Sequence, residues 1–233
     1  MVRRLLLTLV VLVGIVVAAG GTTPRAEASA PVCRGYVALT FDDGPFSTTP
    51  LLLDRLAELK VRATFFNLGR AELQYPGIVR REARAGMWFG NHSYDHSHLT
   101  QLPADQLTYQ LRETRLIHRA ITGRLQNFFR PPYGDTNDAV RAEASRRGMV
   151  EALWTVDTKD YESTADQIAA RALTVKPGGV ILMHDGKAQT RAALPRIVGG
   201  LRQRGLCAGK LARSSTPQPV WAGLETYVKA VKP

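Results

Sequence analysis

Tyr36-Val37-Ala38-Leu39-Thr40-Phe41-Asp42-Asp43-Gly44-Pro45 is an apolar run that stops on two adjacent carboxylates. Its first six residues read as a buried strand, and Gly-Pro reads as the turn that ends it. A strand breaking into a loop can bring both acids to one cleft and give each a different task, one holding a metal ion and one taking a proton. Taken alone, Asp-Asp-Gly-Pro is also the composition of a solvated turn. Residues farther along decide between the two readings.

Working outward, strands are expected at Tyr36 to Phe41, Ala63 to Leu68, Met87 to Asn91, Asn127 to Arg130, Ala152 to Val156, Val180 to Met183 and Leu206 to Leu211. Helical periodicity fills the intervals. Thr49-Pro50 opens a helix with a Leu52, Leu53, Leu56, Leu59 stripe. A second runs from Ile78 to Ala85, and a long one from Pro103 to Ile121 buries Leu107, Leu111, Ile117 and Ile121. Others span Asn137 to Arg147, the capping segment Ser163 to Asp166 through Leu173, and Thr190 to Arg204. Gly86, Gly123, Gly148 and Gly205 stand where left-handed helix stops belong. Alternating strand and helix is the sequence form of a parallel sheet with right-handed crossovers, an α/β fold.

Polar residues sit at five of the expected strand ends: Asp42 and Asp43, His92, Arg130, Asp157 and Asp160, and His184 and Asp185. An open doubly wound sheet concentrates its chemistry at one crevice, whereas in a barrel many strand ends share one mouth. A distorted (β/α) barrel with about seven parallel strands is therefore expected. Trp88 and Trp154, within strands, are expected in the core. His98 and His118 read as ordinary surface or helix residues.

The ends are different in kind. Arg3-Arg4, an apolar run from Leu5 to Ala19 and small residues near Ala28 describe a secretory signal peptide over 1–28, with a domain over 31–213 and a surface tail over 214–233 that includes Trp221. Export implies an extracellular or cell-wall location, with no membrane attachment after cleavage. Two cysteines, Cys33 and Cys207, flank the expected sheet, and in an oxidising compartment a disulfide joining the ends is expected. From residue 31 onward 28 Lys and Arg face 19 Asp and Glu, a net charge of +9. In an exported protein this points to anionic cell-wall polymers; the arginines lack the aromatic interleaving of a nucleic-acid groove.

His92-Ser93-Tyr94-Asp95-His96 places two imidazoles four apart, a spacing suited to one ion, with Asp42 or Asp43 available as third ligand. Two histidines and one carboxylate serve hydrolases and iron oxygenases alike.

Five motifs in order, Thr40-Phe41-Asp42-Asp43-Gly44-Pro45, His92-Ser93-Tyr94-Asp95-His96, Arg130-Pro131-Pro132-Tyr133-Gly134, Asp157-Thr158-Lys159-Asp160-Tyr161 and Leu182-Met183-His184-Asp185, resemble the polysaccharide deacetylases with a NodB homology domain, carbohydrate esterase family four. The resemblance covers Tyr36 to about Leu211. It implies a monomeric enzyme acting on acetylated polysaccharide with one divalent metal, zinc with cobalt or nickel tolerated. Asp43, His92 and His96 would hold the metal, Asp42 would be the base and His184 the acid. Arg130 would orient Asp42, Asp160 would support His184, and the Tyr133 backbone N–H would donate to the oxyanion. Leu182 and Tyr161 would line the substrate pocket. Tyr161 replaces the tryptophan of many members, and Ser97 a frequent proline. The substrate implied is N-acetylglucosamine polymer, peptidoglycan or chitin-derived, with acetylated xylan as the alternative and a non-catalytic wall-binding protein as a further one.

Overall fold

The computed structural model describes residues 33–220 and 224–233; the expected signal peptide and Trp221 lie outside them. The buried run Gly35–Asp42 is the central strand, β1. After it come α1 (Thr49–Glu58), β2 (Thr64–Asn67), α2 (Gly69–Gln74), α3 (Pro76–Arg84), β3 (Trp88–Asn91) and α4 (Ala104–Thr122). The chain continues through β4 (Phe128–Phe129), α5 (Asp138–Arg146), β5 (Val150–Glu151), β6 (Val156–Asp157), α6 (Ala165–Ala172), β7 (Val180–His184) and α7 (Ala188–Gln203). It closes with β8 (Leu206–Ala208), β9 (Lys210–Pro219) and β10 (Glu225–Val231).

The lateral order is β5-β4-β3-β2-β1-β7-β6, with every neighbour parallel and β8 alongside residues 35–37 of β1. The single strand expected over 152–156 is two short ones. β5 pairs with β4 and β6 with β7, at opposite ends of the sheet. Residues 152–155 carry the chain between those ends, so one segment closes the barrel by covalent continuity where hydrogen bonding lapses. The distortion of the barrel resides there.

Local sequence accounts for the ends of the helices. Gly86, Gly123, Gly148 and Gly205 all adopt left-handed φ, the conformation a helix stop needs. Asn137 accepts the Val140 N–H, and Thr164 forms a capping box with Gln167. Thr49 does not cap α1. It is the first helical residue, and its hydroxyl turns inward to Asp185 while accepting the Phe46 N–H at 2.7 Å. On α4 Leu107 and Leu111 are buried as expected, but Gln110, Thr114 and His118 complete the buried face while Ile117 and Ile121 are only half-buried. The reason is α2, whose Gly69 abuts Thr114 and whose Glu72 meets His118.

Most of the described residues of the expected surface tail belong to regular structure. β9 and β10 form an antiparallel hairpin that buries Val228 and Ala230 against Ala38, Ala152 and Val180. The hydroxyl of Thr226 accepts the Leu153 N–H, at the break between β5 and β6. Cys33 and Cys207 are bonded, with Cα atoms 5.6 Å apart. Among the described residues no helix is long and apolar enough to cross a membrane.

Candidate active site

The carboxyl ends of β1, β3, β4, β6 and β7 surround a cleft of about 460 Å³ lined by Asp42, Asp43, His92, His96, Tyr133, Tyr161, Leu182 and His184. The strands alone do not aim these groups. Asp43, Ser93, His96, Tyr133 and Lys159 all take left-handed φ between 50° and 73°. Such backbone costs roughly 1–3 kcal/mol per residue in side-chain-bearing positions and persists only where its surroundings over-determine it. At Asp43 the reversal matters most, because it lets two successive side chains reach the same cleft.

His92 donates from Nδ1 to the Arg130 carbonyl at 2.8 Å, which leaves the Nε2 lone pair toward the cleft. That nitrogen lies 3.4 Å from Asp43 Oδ1, and His96 Nε2 lies 3.2 Å from the same oxygen. One ligand atom from each of Asp43, His92 and His96 falls within 4.8 Å of the others. Tetrahedral ligands at about 2.0–2.1 Å from a zinc-sized ion stand about 3.3 Å apart, close to the two observed separations. Asp43 Oδ1 is buried and accepts no hydrogen bond of good geometry from the described residues, which is the condition of an oxygen reserved for a cation. Burial works to raise the Asp43 carboxyl, but the two imidazoles hold it well below the usual carboxylate range. The three residues fit a divalent ion.

Asp42 is separately held. Arg130, fully buried, donates from Nη1 to Asp42 Oδ1 at 2.7 Å and to the Thr40 hydroxyl at 2.8 Å, and from Nε to the Ala152 carbonyl. Its guanidinium lies 4.1 Å over the Phe66 ring, and Gly90 makes room, since a Cβ there would come within 2.2 Å of that ring. One oxygen of Asp42 is thereby committed. The other, Oδ2, lies 3.7 Å from His92 Nε2.

His184 donates from Nδ1 to Asp160 Oδ1 at 2.6 Å, and its backbone N–H donates to Asp160 Oδ2 at 2.7 Å. Thr190 also donates to Asp160 Oδ2, at 2.5 Å, so this buried carboxylate is fixed from two elements. Burial acts to lower His184, but Asp160, with Asp42 and Asp43 beyond it, raises it to about 9. The imidazole is therefore cationic at neutral pH and able to give a proton from Nε2.

Asp42, Asp43, His92, His96, Tyr133, Tyr161, Leu182 and His184 line this one cleft, with Arg130 and Asp160 bonded behind Asp42 and His184. Other residues lie here to which the sequence assigned no role at the site. Trp154 packs against the core cluster of Ala38, Phe66, Ala152 and Val180, as expected, and also lines the cleft, because it falls in the segment between β5 and β6. His98 stacks on Tyr133 with ring centroids 4.1 Å apart. His118 is a helix residue, one of the two readings expected, but it is buried and bonds Glu72 at 2.8 Å. Asp185 sits behind the cleft, accepting from Thr49 and the Gly186 N–H and donating its own N–H to the Asp42 carbonyl at 2.9 Å. Burial raises its carboxyl to about 6.

A family model described as polysaccharide deacetylase matches residues 29–152. A peptidoglycan-N-acetylglucosamine deacetylase of Bacillus cereus is 38% identical over 76% of this chain and 67% of its own length. A chitooligosaccharide deacetylase of Azorhizobium caulinodans is 33% identical over 74% of the chain and 90% of its own. A bifunctional xylanase/xylan deacetylase of Cellvibrio japonicus is 35% identical, but this chain covers only 27% of that longer protein. Among solved structures, a family 4 carbohydrate esterase from Streptomyces lividans in complex with acetate superposes with a TM-score of 0.78 at 40% identity, covering 86% of this chain and 99% of that one.

Proposed function

The chain belongs to the polysaccharide deacetylase family, and from that premise we propose that it is a secreted, metal-dependent deacetylase of N-acetylglucosamine-containing polysaccharide, peptidoglycan or chitin-derived, that releases acetate. The observation that carries this reading is the opposition, within one cleft, of a cation-binding trio and a cationic imidazole. Asp43, His92 and His96 would hold the metal, zinc by the donor set, with cobalt or nickel as substitutes. A divalent ion supplies Lewis acidity toward a carbonyl oxygen and makes water more acidic.

The remaining work falls to the chain. Asp42 accepts a proton from the attacking water at Oδ2, because Arg130 occupies Oδ1 and holds the carboxylate in orientation. His184 gives its Nε2 proton to the departing sugar nitrogen, a poor leaving group unless protonated, while Asp160 steadies the imidazolium. Tyr133, held at φ 60°, offers its backbone N–H to the developing oxyanion. Leu182 and Tyr161 receive the acetyl methyl and one face of the sugar, with Trp154 beside them. The domain would act as a monomer.

Acetate release from N-acetylated glycan chains, set beside release from acetylated xylan, tests the substrate. Release from the amide-bearing chains is expected. Release confined to xylan, the activity in the Cellvibrio protein's name, would replace the N-acetyl assignment with O-deacetylation on the same machinery. An inert protein with full metal content would leave only a wall-binding role.

A further inference from the structure

The two ends of the barrel differ in charge. Connections that lead from a strand into the next helix, at the mouth, carry Asp43, Asp95, Asp135, Asp160, Glu162 and Asp185. Connections that lead from a helix into the next strand, at the base, carry no aspartate or glutamate over 59–63, 85–87, 123–127, 147–149, 173–179 and 204–205. They carry cations instead. Arg124 precedes β4, Arg84 closes the helix before β3, Arg62 precedes β2, Arg34 precedes β1 and Lys176 precedes β7. That sequence follows the lateral order of the strands.

Neighbouring strands lie about 4.8 Å apart. Cations on successive connections reinforce one another's field where they come within the screening length, roughly 8 Å at physiological salt. All five side chains are exposed, and none has a carboxylate within 4.0 Å among the described residues. Two of the left-handed glycines of these turns also lie beside guanidinium groups, Gly86 next to Arg62 and Gly205 next to Arg34. Basic residues near helix C-termini satisfy carbonyls, as Arg204 does for Leu173 at 2.5 Å. The dipole that favours cations at these helix ends also disfavours acids there and so accounts for the sign, but neither it nor carbonyl capping neutralises the cations, whose full charge stays on the surface.

We propose that the base of the barrel, from Arg124 across to Lys176, is a docking surface for a flexible polyanion bearing phosphodiester groups, held there while the catalytic mouth faces away. Guanidinium forks match phosphate oxygens in pairs, and a row of them along consecutive strands suits a chain better than a single ion. A membrane surface would call for apolar side chains among the cations; of the exposed large hydrophobics only Leu125 falls in these connections. The inference does not depend on the chemistry at the mouth.

Binding of short linear polyphosphate to the intact protein, measured against salt concentration, tests it. Wild type should bind with affinity that falls steeply as salt rises. The quadruple variant R62Q/R84Q/R124Q/K176Q should bind at least about tenfold more weakly at low salt with a shallower salt slope. R62K/R84K/R124K should keep most of the binding, showing that charge and not a folding defect is at issue. Acetate release from soluble neutral oligosaccharide should be equal in all three. Equal polyphosphate binding by wild type and the quadruple variant would overturn the proposal. So would binding only to vesicles containing phosphatidylglycerol, which would make the partner a membrane.

Discussion

Asp42 shows how much one side chain depends on what holds it. Arg130 is buried without other carboxylate partners among the described residues, so Asp42→Asn removes a base and also strands a buried charge. We expect turnover to fall by about two to four powers of ten, stability to fall by about 3 kcal/mol, and metal content to stay unchanged because Asp43, His92 and His96 remain. Turnover and metal analysis on the same sample check all three; near-normal turnover would remove Asp42 from the reaction. His184 is raised to about 9, with Asp160 the largest favourable influence. Its protonated form is the donor, so activity is present below that pKa and is lost as pH rises through it. Asp160→Asn withdraws the supporting charge and should move the alkaline limb of the kcat/KM profile toward lower pH. A limb that stays in place would show that Asp160 does not hold the proton on His184. These groups were readable from sequence because each lies in a short motif at a strand end. The place of Trp154 at the cleft and the burial of His118 were not, because their surroundings come from distant segments: the barrel seam for one, and Glu72 on α2 for the other.

Among the elements, strand and helix order was legible throughout, since apolar periodicity and glycine stops are local signals. The division of the fifth strand was not. Residues 150–157 are apolar enough for one strand, and only closure of the whole sheet makes them serve both ends. The C-terminal hairpin escaped notice for a related reason, as its prolines and polar residues conceal the burial of Val228 and the bond from Leu153 to Thr226. Removing residues 210–233 would expose Ala152 and Val180 and leave that buried N–H unpaired. Thermal unfolding of the truncated chain should show clear destabilisation; an unchanged midpoint would make the hairpin dispensable. The Cys33–Cys207 bridge spans a separation of 174 residues and joins the base of β1 to β8, far along the strand from Asp42. Replacing both cysteines with serine should cost about 2–5 kcal/mol of stability while leaving turnover intact.

For the molecule as a whole, the net charge could be counted in the sequence, but the gathering of acid-free connections at the base could not, because it depends on which connections share an end of the barrel. The same topology brings five strand ends to a single mouth and so places a proton acceptor, a cation-binding trio and a proton donor around one substrate bond. The most direct test of that claim is acetate release by protein stripped with a chelator and then titrated with zinc, alongside His96→Ala treated identically. Activity should vanish on stripping and return in proportion to zinc up to one ion per chain, and His96→Ala should recover little at the same metal concentrations. Full activity in the metal-free protein, or equal recovery by His96→Ala, would contradict the account.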